Sequence, residues 1–136
     1  MILDHDVEQL LIDYLNDTLP DYGIDLPVAD RVATTNAPGI TLVRTGGIRR
    51  DLVTDEAQIT IDVRHYDSGQ AMQVALHVRA LINDLWSQVI GGAQVYTVRE
   101  LAGPYSNPTS AELYRYSLSF LVAVRSTQVP NQGAMK

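Results

Sequence analysis

Between Gln58 and Ile90 the hydrophobic pattern changes its period. Ile59, Ile61 and Val63 alternate with Thr60, Asp62 and Arg64, the repeat of a strand with one buried face. Asp67-Ser68-Gly69-Gln70 follows and has the residue types of a helix start with a capping box. Ala71, Val74, Ala75, Val78, Leu81, Ile82, Leu85 and Val89 then recur at helical spacing. That spacing predicts a strand over 57–66 and a helix over 68–90. Gly91-Gly92 would end the helix, because glycine readily adopts a left-handed C-cap.

An earlier helix is predicted from Asp4 or Asp6 to Leu19, with Val7, Leu10, Leu11, Tyr14 and Leu15 on its inner face. Asp4, Asp6 and Glu8 sit where the positive end of the helix dipole favours anions, and Pro20 and Gly23 stop the helix. Strand-like runs at 28–35 and 40–45 flank Asn36-Ala37-Pro38-Gly39 and read as a hairpin. Residues 46–55 read as a charged, mobile loop, 95–101 as a strand and 103–110 as a turn-rich loop. The clearest strand spans 114–125. Tyr114, Tyr116, Leu118, Phe120, Val122 and Val124 fall on one face, and Arg115, Ser117, Ser119, Leu121, Ala123 and Arg125 on the other. Residues 126–136 read as a disordered polar tail. The order is α-β-β-β-α-β-β. It implies a single α+β domain over 1–125, with a mixed, mainly antiparallel sheet of four to five strands and two helices on one side.

Composition narrows the function classes. At 136 residues the chain fits one domain and can bury about two-thirds of its unfolded surface. It has no cysteine, which excludes disulfides, thiolate zinc sites and cysteine nucleophiles. A net charge of −6 and a pI near 4.8 disfavour tight phosphate-backbone binding. Of the ten basic residues only Lys136 is not arginine, a bias that suits planar, bidentate contacts at protein interfaces. No apolar run approaches the roughly 18–20 residues that span a bilayer. The acidic start Met1-Ile2-Leu3-Asp4-His5-Asp6 lacks the basic region of a signal peptide. A soluble protein with no membrane partner is expected.

Candidate chemistry is sparse. His5 lies between Asp4 and Asp6, but adjacent residues at a helix start point in different directions, so a capping role is expected. His65 and His77 have no partner at metal-ligand spacing. Gly46-Gly47 and Gly91-Gly92 do not lead from a strand into a helix N-terminus, as a phosphate cradle requires, and no serine lies in a GxSxG elbow. Asp62 and Glu56 read as a solvated pair of carboxylates. The expectation is no catalytic residue, no metal and no cofactor. Contact surfaces stand out instead. Arg49 and Arg50 share a segment with Ile48, Leu52 and Val53 that is suited to gripping a neighbouring subunit. Met72, Leu76 and Trp86 make the second helix apolar on more than one side. The last strand carries Leu121 and Ala123 on its second face and offers backbone for pairing between subunits.

Several of these patterns resemble the tail terminator proteins of long-tailed, non-contractile (siphovirus-type) bacteriophages. The likeness is carried by the opening helix with Val7-Glu8-Gln9-Leu10-Leu11-Ile12-Asp13-Tyr14-Leu15. It continues in the strand Ile59-Thr60-Ile61-Asp62-Val63-Arg64 leading into Ala71 through Ala75 and then His77-Val78-Arg79-Ala80-Leu81. The run at 95–100, the Gly103-Pro104-Tyr105 segment and the final strand ending in Val124-Arg125 complete it. It covers about residues 4–125. The resemblance implies a hexameric ring that caps the tail tube, stops its polymerisation and joins the tail to the connector of the head. It implies a tail tube protein and a connector or stopper protein as partners, with genomic DNA passing through the lumen without specific binding. It implies assembly in the host cytoplasm and a place in the virion at the head-proximal end of the tail. It implies no catalytic residues, and Ile48, Arg49, Arg50, Leu52 and Tyr105 become the candidate subunit or partner interface. Another neck or tail-tube component, or a small ligand-binding α+β module, would share the bulk properties.

Overall fold

Ile59, Ile61 and Val63 lie on a strand, Thr54–His65, that is paired antiparallel on both sides. Their fully buried side chains form the middle of the core. The computed structural model describes residues 1–32, 37–109 and 112–130. In chain order the elements are β1 (Ile2–Leu3), α1 (Val7–Thr18), a 3-10 helix (Leu19–Tyr22), β2 (Val28–Ala29), β3 (Gly39–Asp51), β4 (Thr54–His65), α2 (Ser68–Asn83), β5 (Val89–Ile90), β6 (Ala93–Ser106), β7 (Tyr114–Arg125) and β8 (Thr127–Gln128). The fold is α+β with two α-helices and mainly antiparallel pairing. Among the described residues it has eight strands in two sheets rather than four to five in one.

The large sheet has the order β2-β3-β4-β7-β6-β5. Register explains its single buried face. Leu42, Ile61 and Leu118 stand opposite one another across three strands, as do Ile59 with Phe120 and Ala57 with Val122. Facing residues on antiparallel strands share a side, so these form one apolar surface. Val74, Ala75, Val78, Leu81, Ile82 and Leu85 cover it from the α2 segment, and Val7, Leu11, Ile12 and Leu15 from α1. The caps follow the sequence. Asp6 accepts a hydrogen bond from the Gln9 amide at 3.1 Å, and Asp67 one from the Gln70 amide at 2.9 Å.

Five expected elements take a different form. The segment 46–55 is not a loop: β3 runs on through it to a two-residue turn at Leu52-Val53, and β4 starts directly after. Gly46-Gly47 interrupts the alternation that would have marked a strand. Gly47 has φ 130°, and a β-carbon there would lie 2.2 Å from the Glu56 carbonyl oxygen, so the strands pass at a distance that glycine alone permits. The second helix ends at Asn83 rather than Ile90. In the turn that follows, Ser87 takes a left-handed φ of 63°, and Val89 leaves the helical stripe to pair with Gln94 at 62% exposure. Gly91-Gly92 is therefore the turn of the β5–β6 hairpin, not a helix cap.

The proposed hairpin at 28–45 is also replaced: Val28–Ala29 runs parallel to β3. Asn16 fixes it there, donating to the Val28 carbonyl at 3.0 Å and accepting from its amide at 3.1 Å. The end of that hairpin's first strand, 33–35, and the first residue of its turn, Asn36, lie outside the described residues. Gly103-Pro104-Tyr105 belongs to β6, where register shifts accommodate a proline at a sheet edge. Of the supposed tail, Thr127–Gln128 pairs antiparallel with Ile2–Leu3, and the Ser126 hydroxyl donates to Asp4 at 2.5 Å. Residues 131–136 of that expectation, like 110–111 at the end of the expected turn-rich loop, lie outside the described residues.

Candidate subunit-contact surface

The hairpin formed by β3 and β4 brings together four of the five candidate interface residues. Leu52 at its turn is 80% exposed and Ile48 is 64% exposed. Arg49 folds back toward the body of the protein. Its Nη2 donates to both carboxylate oxygens of Asp4 at 2.8 Å, and its Nη1 donates to the Leu52 carbonyl at 3.0 Å. Arg50 reaches across the hairpin to Glu56 at 3.4 Å. Tyr105 is not part of this cluster. It stands opposite Ser117 near the other end of the sheet, half exposed.

Both helices pack on one side of the large sheet, and among the described residues no helix lies over its other side. Along this open face the rows are Thr41, Asp62, Ser117 and Tyr105; then Thr60 with Ser119; then Gln58, Leu121 and Arg99. The middle is held by short polar side chains. The Ser117 hydroxyl donates to Asp62, Asn107 donates to the Ser117 oxygen at 2.9 Å, and Thr45 and Thr60 share a 2.9 Å hydrogen bond. Trp86, expected on the helix, lies beyond its end. It borders a shallow cavity of about 280 Å³ on this face with Arg50, Glu56, Val98, Arg99 and Leu121. Leu76 remains on α2 and is 40% exposed. β7, the strand expected to offer backbone for pairing between subunits, is central, between β4 and β6, so its backbone is already paired on both sides. Among the described residues, backbone unpaired to another strand is left on the part of β6 beyond β5 and on the part of β3 beyond β2.

Arg64 lies on the open face beside Gly39 and is nine-tenths buried. Its Nη1 donates to Thr41 at 2.5 Å, and among the described residues its Nε has no hydrogen-bond partner. Burial holds this guanidinium below the ordinary arginine value. The carboxylate of Asp62 opposes the shift and the charge of Arg115 adds to it. Arg115 spends its donors on the Asn107 and Pro108 carbonyls.

Most arginine–carboxylate pairs lie on the helix side, and Arg50 with Glu56 is a pair on the open face. On the helix side Arg44 pairs with Asp55, Arg49 with Asp4 and Arg79 with Glu100, each at 2.8 Å or less. On the open face Arg64, Arg99 and Arg115 have no carboxylate oxygen within 4.0 Å among the described residues. Sequence reading missed this division because all nine arginines look alike until the sheet assigns each a side.

The histidines hold local structure. His5 shares a 2.9 Å hydrogen bond with Thr127, His65 accepts from the Asp67 amide at 3.1 Å, and His77 bonds the Gln73 carbonyl at 2.8 Å. Among the described residues no group of three or more His, Asp or Glu is placed to hold a metal ion. Among the described residues no helix is long and apolar enough to cross a membrane. Set against known proteins, the chain matches no family model and no curated protein sequence.

Proposed function

We propose that this chain is a virion structural subunit of a long-tailed, non-contractile phage, a tail terminator that acts by shape and self-assembly rather than by chemistry. The reading rests on the resemblance over residues 4–125. The observation that supports it best is the β3–β4 hairpin, which presents Ile48 and Leu52 to solvent beside a sheet face that no helix covers. Exposed apolar side chains next to an uncovered sheet face are a usual mark of a contact surface. The mechanism is geometric. A ring of six copies joined by heterologous contacts closes on itself and stops growing. One ring face docks on the tube end, and the other lacks the site for another tube subunit and meets the connector of the head. The net negative charge keeps passing DNA from adhering.

Electron microscopy of a phage lacking this protein tests the proposal. Overlong or unjoined tails beside DNA-filled heads are expected. Attached tails of normal length would overturn it, and purified protein that polymerises into long cylinders would identify a tube component instead.

A further inference from the structure

Residues 1–30 hold eight of the sixteen acidic residues and none of the ten basic ones. Asp13, Asp17 and Asp21 recur every four residues along α1 and the 3-10 helix, and all are exposed. Like charges at that spacing repel. The last turn of α1 carries no basic residue, although the negative end of the helix dipole favours cations there. Asp13 accepts from the uncharged Gln9 amide, and the stripe has no cationic partner within 4.0 Å among the described residues. In the isolated subunit the stripe is therefore destabilising. The other side of the sheet has the opposite imbalance, because Arg64, Arg99 and Arg115 lack carboxylates. Partly exposed Leu121 and Tyr105 supply apolar area between them.

We infer that the acidic α1 surface of one copy docks on the arginine-bearing open sheet face of a second copy, so that the chain associates head to tail. This deepens the ring reading above and rests on it. Each surface repels its own copy by like charge, and because the two lie on opposite sides of one sheet, a single two-fold contact cannot join them in both directions. The docking contact is heterologous, and it closes a ring when the rotation between copies divides a full turn. A carboxylate arriving at Arg99 or Arg115 forms a charge-assisted, planar contact of the kind arginine favours. The helix stripe in turn receives the cations that its dipole and its own repulsion call for. Because the attraction is electrostatic and lies partly in solvent, it weakens with ionic strength.

Charge reversal tests this on the full chain. One variant carries Arg99→Glu with Arg115→Glu, the other Asp17→Arg with Asp21→Arg. Arg99→Glu alone serves if the loss of the Arg115 backbone contacts disturbs folding, which circular dichroism reports. In sedimentation velocity the wild type should self-associate at low ionic strength and dissociate as salt is added. Each variant alone should associate at least about tenfold more weakly. An equimolar mixture of the two should regain wild-type association, because the reversed faces match in alternation. A wild type that stays monomeric at low salt, variants that associate like the wild type, or a mixture no better than its parts would each overturn the docking mode. A sheet-face variant that self-associates normally but loses an acidic partner protein or nucleic acid would reassign that face. Overlong tails in the deletion phage together with a failed charge swap would sink the docking mode alone. A successful swap with normal tails would sink the terminator reading alone.

Discussion

Arg44 closes on Asp55 through two charge-assisted hydrogen bonds, 2.6 Å from Nη1 and 2.8 Å from Nη2, at the root of the β3–β4 hairpin. The same residue gives its backbone amide to Glu8 at 3.1 Å and its Nε to the Gly46 carbonyl at 3.0 Å. It therefore ties the start of α1, the glycine bulge and the hairpin to one point. Asp55 is 4% exposed, whereas a third of the Arg44 side chain reaches solvent. The pair is thus asymmetric. Arg44→Met leaves a buried carboxylate without its cation and should cost roughly 2–4 kcal/mol, somewhat less than the about 3–5 kcal/mol of breaking a fully buried pair, because one partner is partly solvated. Asp55→Asn keeps the shape and leaves an arginine that can turn to water, so it should cost about half as much. Urea unfolding of both variants decides. Equal losses, or a larger loss for Asp55→Asn, would contradict the asymmetry.

The core makes a second contrast. Phe120 is fully buried on the helix side of β7, and Ser119 beside it points to the open face. Phe120→Ala should destabilise by about 3–5 kcal/mol, the usual cost of emptying a large aromatic site. Ser119→Ala should cost roughly 0.5 kcal/mol or less in the isolated subunit. Comparable losses in denaturant melts of monomeric protein would mean that the open face is covered within the chain itself.

What was legible in the sequence followed from period and caps. The alternation in β4 and β7 announced both strands and their buried faces, Asp67 announced the start of the second helix, and Asp4 or Asp6 that of the first, which the structure resolves to Asp6. Legibility failed where one residue type serves two structures. Gly46-Gly47 looked like a turn and is a bulge inside a strand. Gly91-Gly92 looked like a helix stop and is a hairpin turn. Leu85 keeps helical spacing and stays buried even though the helix has already ended. Parallel pairing of β2 depends on Asn16, twelve positions away in the chain, and no local pattern encodes that. Ile48, Arg49, Arg50 and Leu52 were recognisable as a unit from their mixture of charge and hydrophobicity. Tyr105 was grouped with them, but β6 carries it to the far end of the sheet. The concentration of acids in the first thirty residues is visible in the sequence. Its relation to the unpaired arginines needs the topology, which places the two sets on opposite sides.

Stability should also fall at alkaline pH in a way that Tyr14 controls. Burial raises the pKa of this phenol above its ordinary value of 10.0, the negative charge of Asp84 adds to the effect, and Tyr22 adds less. Its hydroxyl donates to the Leu81 carbonyl at 3.3 Å, which joins α1 to α2. Below the unfolded value both states are protonated and the contribution is fully present. As pH rises past it the unfolded chain ionises first, and stability drains until the folded pKa is reached. Melting temperatures measured from about pH 9 to 11 should drop more steeply for the wild type than for Tyr14→Phe. Superimposable profiles would remove Tyr14 from the account.

The hairpin offers the cleanest test of assembly, provided that the apolar residues are changed and the arginines left alone. Arg49 is held by Asp4. Arg49→Glu would set two carboxylates against each other and disturb the hairpin's attachment, so a loss of assembly in that variant would have two causes. Ile48 and Leu52 carry no such duty, since most of each side chain already lies in water. Ile48→Ser with Leu52→Ser should change stability by no more than about 0.5 kcal/mol per site, as surface substitutions do. If the hairpin grips a neighbouring subunit, the same change removes apolar area from the contact, at roughly 25 cal/mol for each Å² no longer buried. Ring formation should fall and tails should be left unjoined, with the melting temperature nearly unchanged. A double variant that melts like the wild type and still completes tails would show the hairpin to be a solvent-facing extension of the sheet, and the contact would have to be sought on the open face alone.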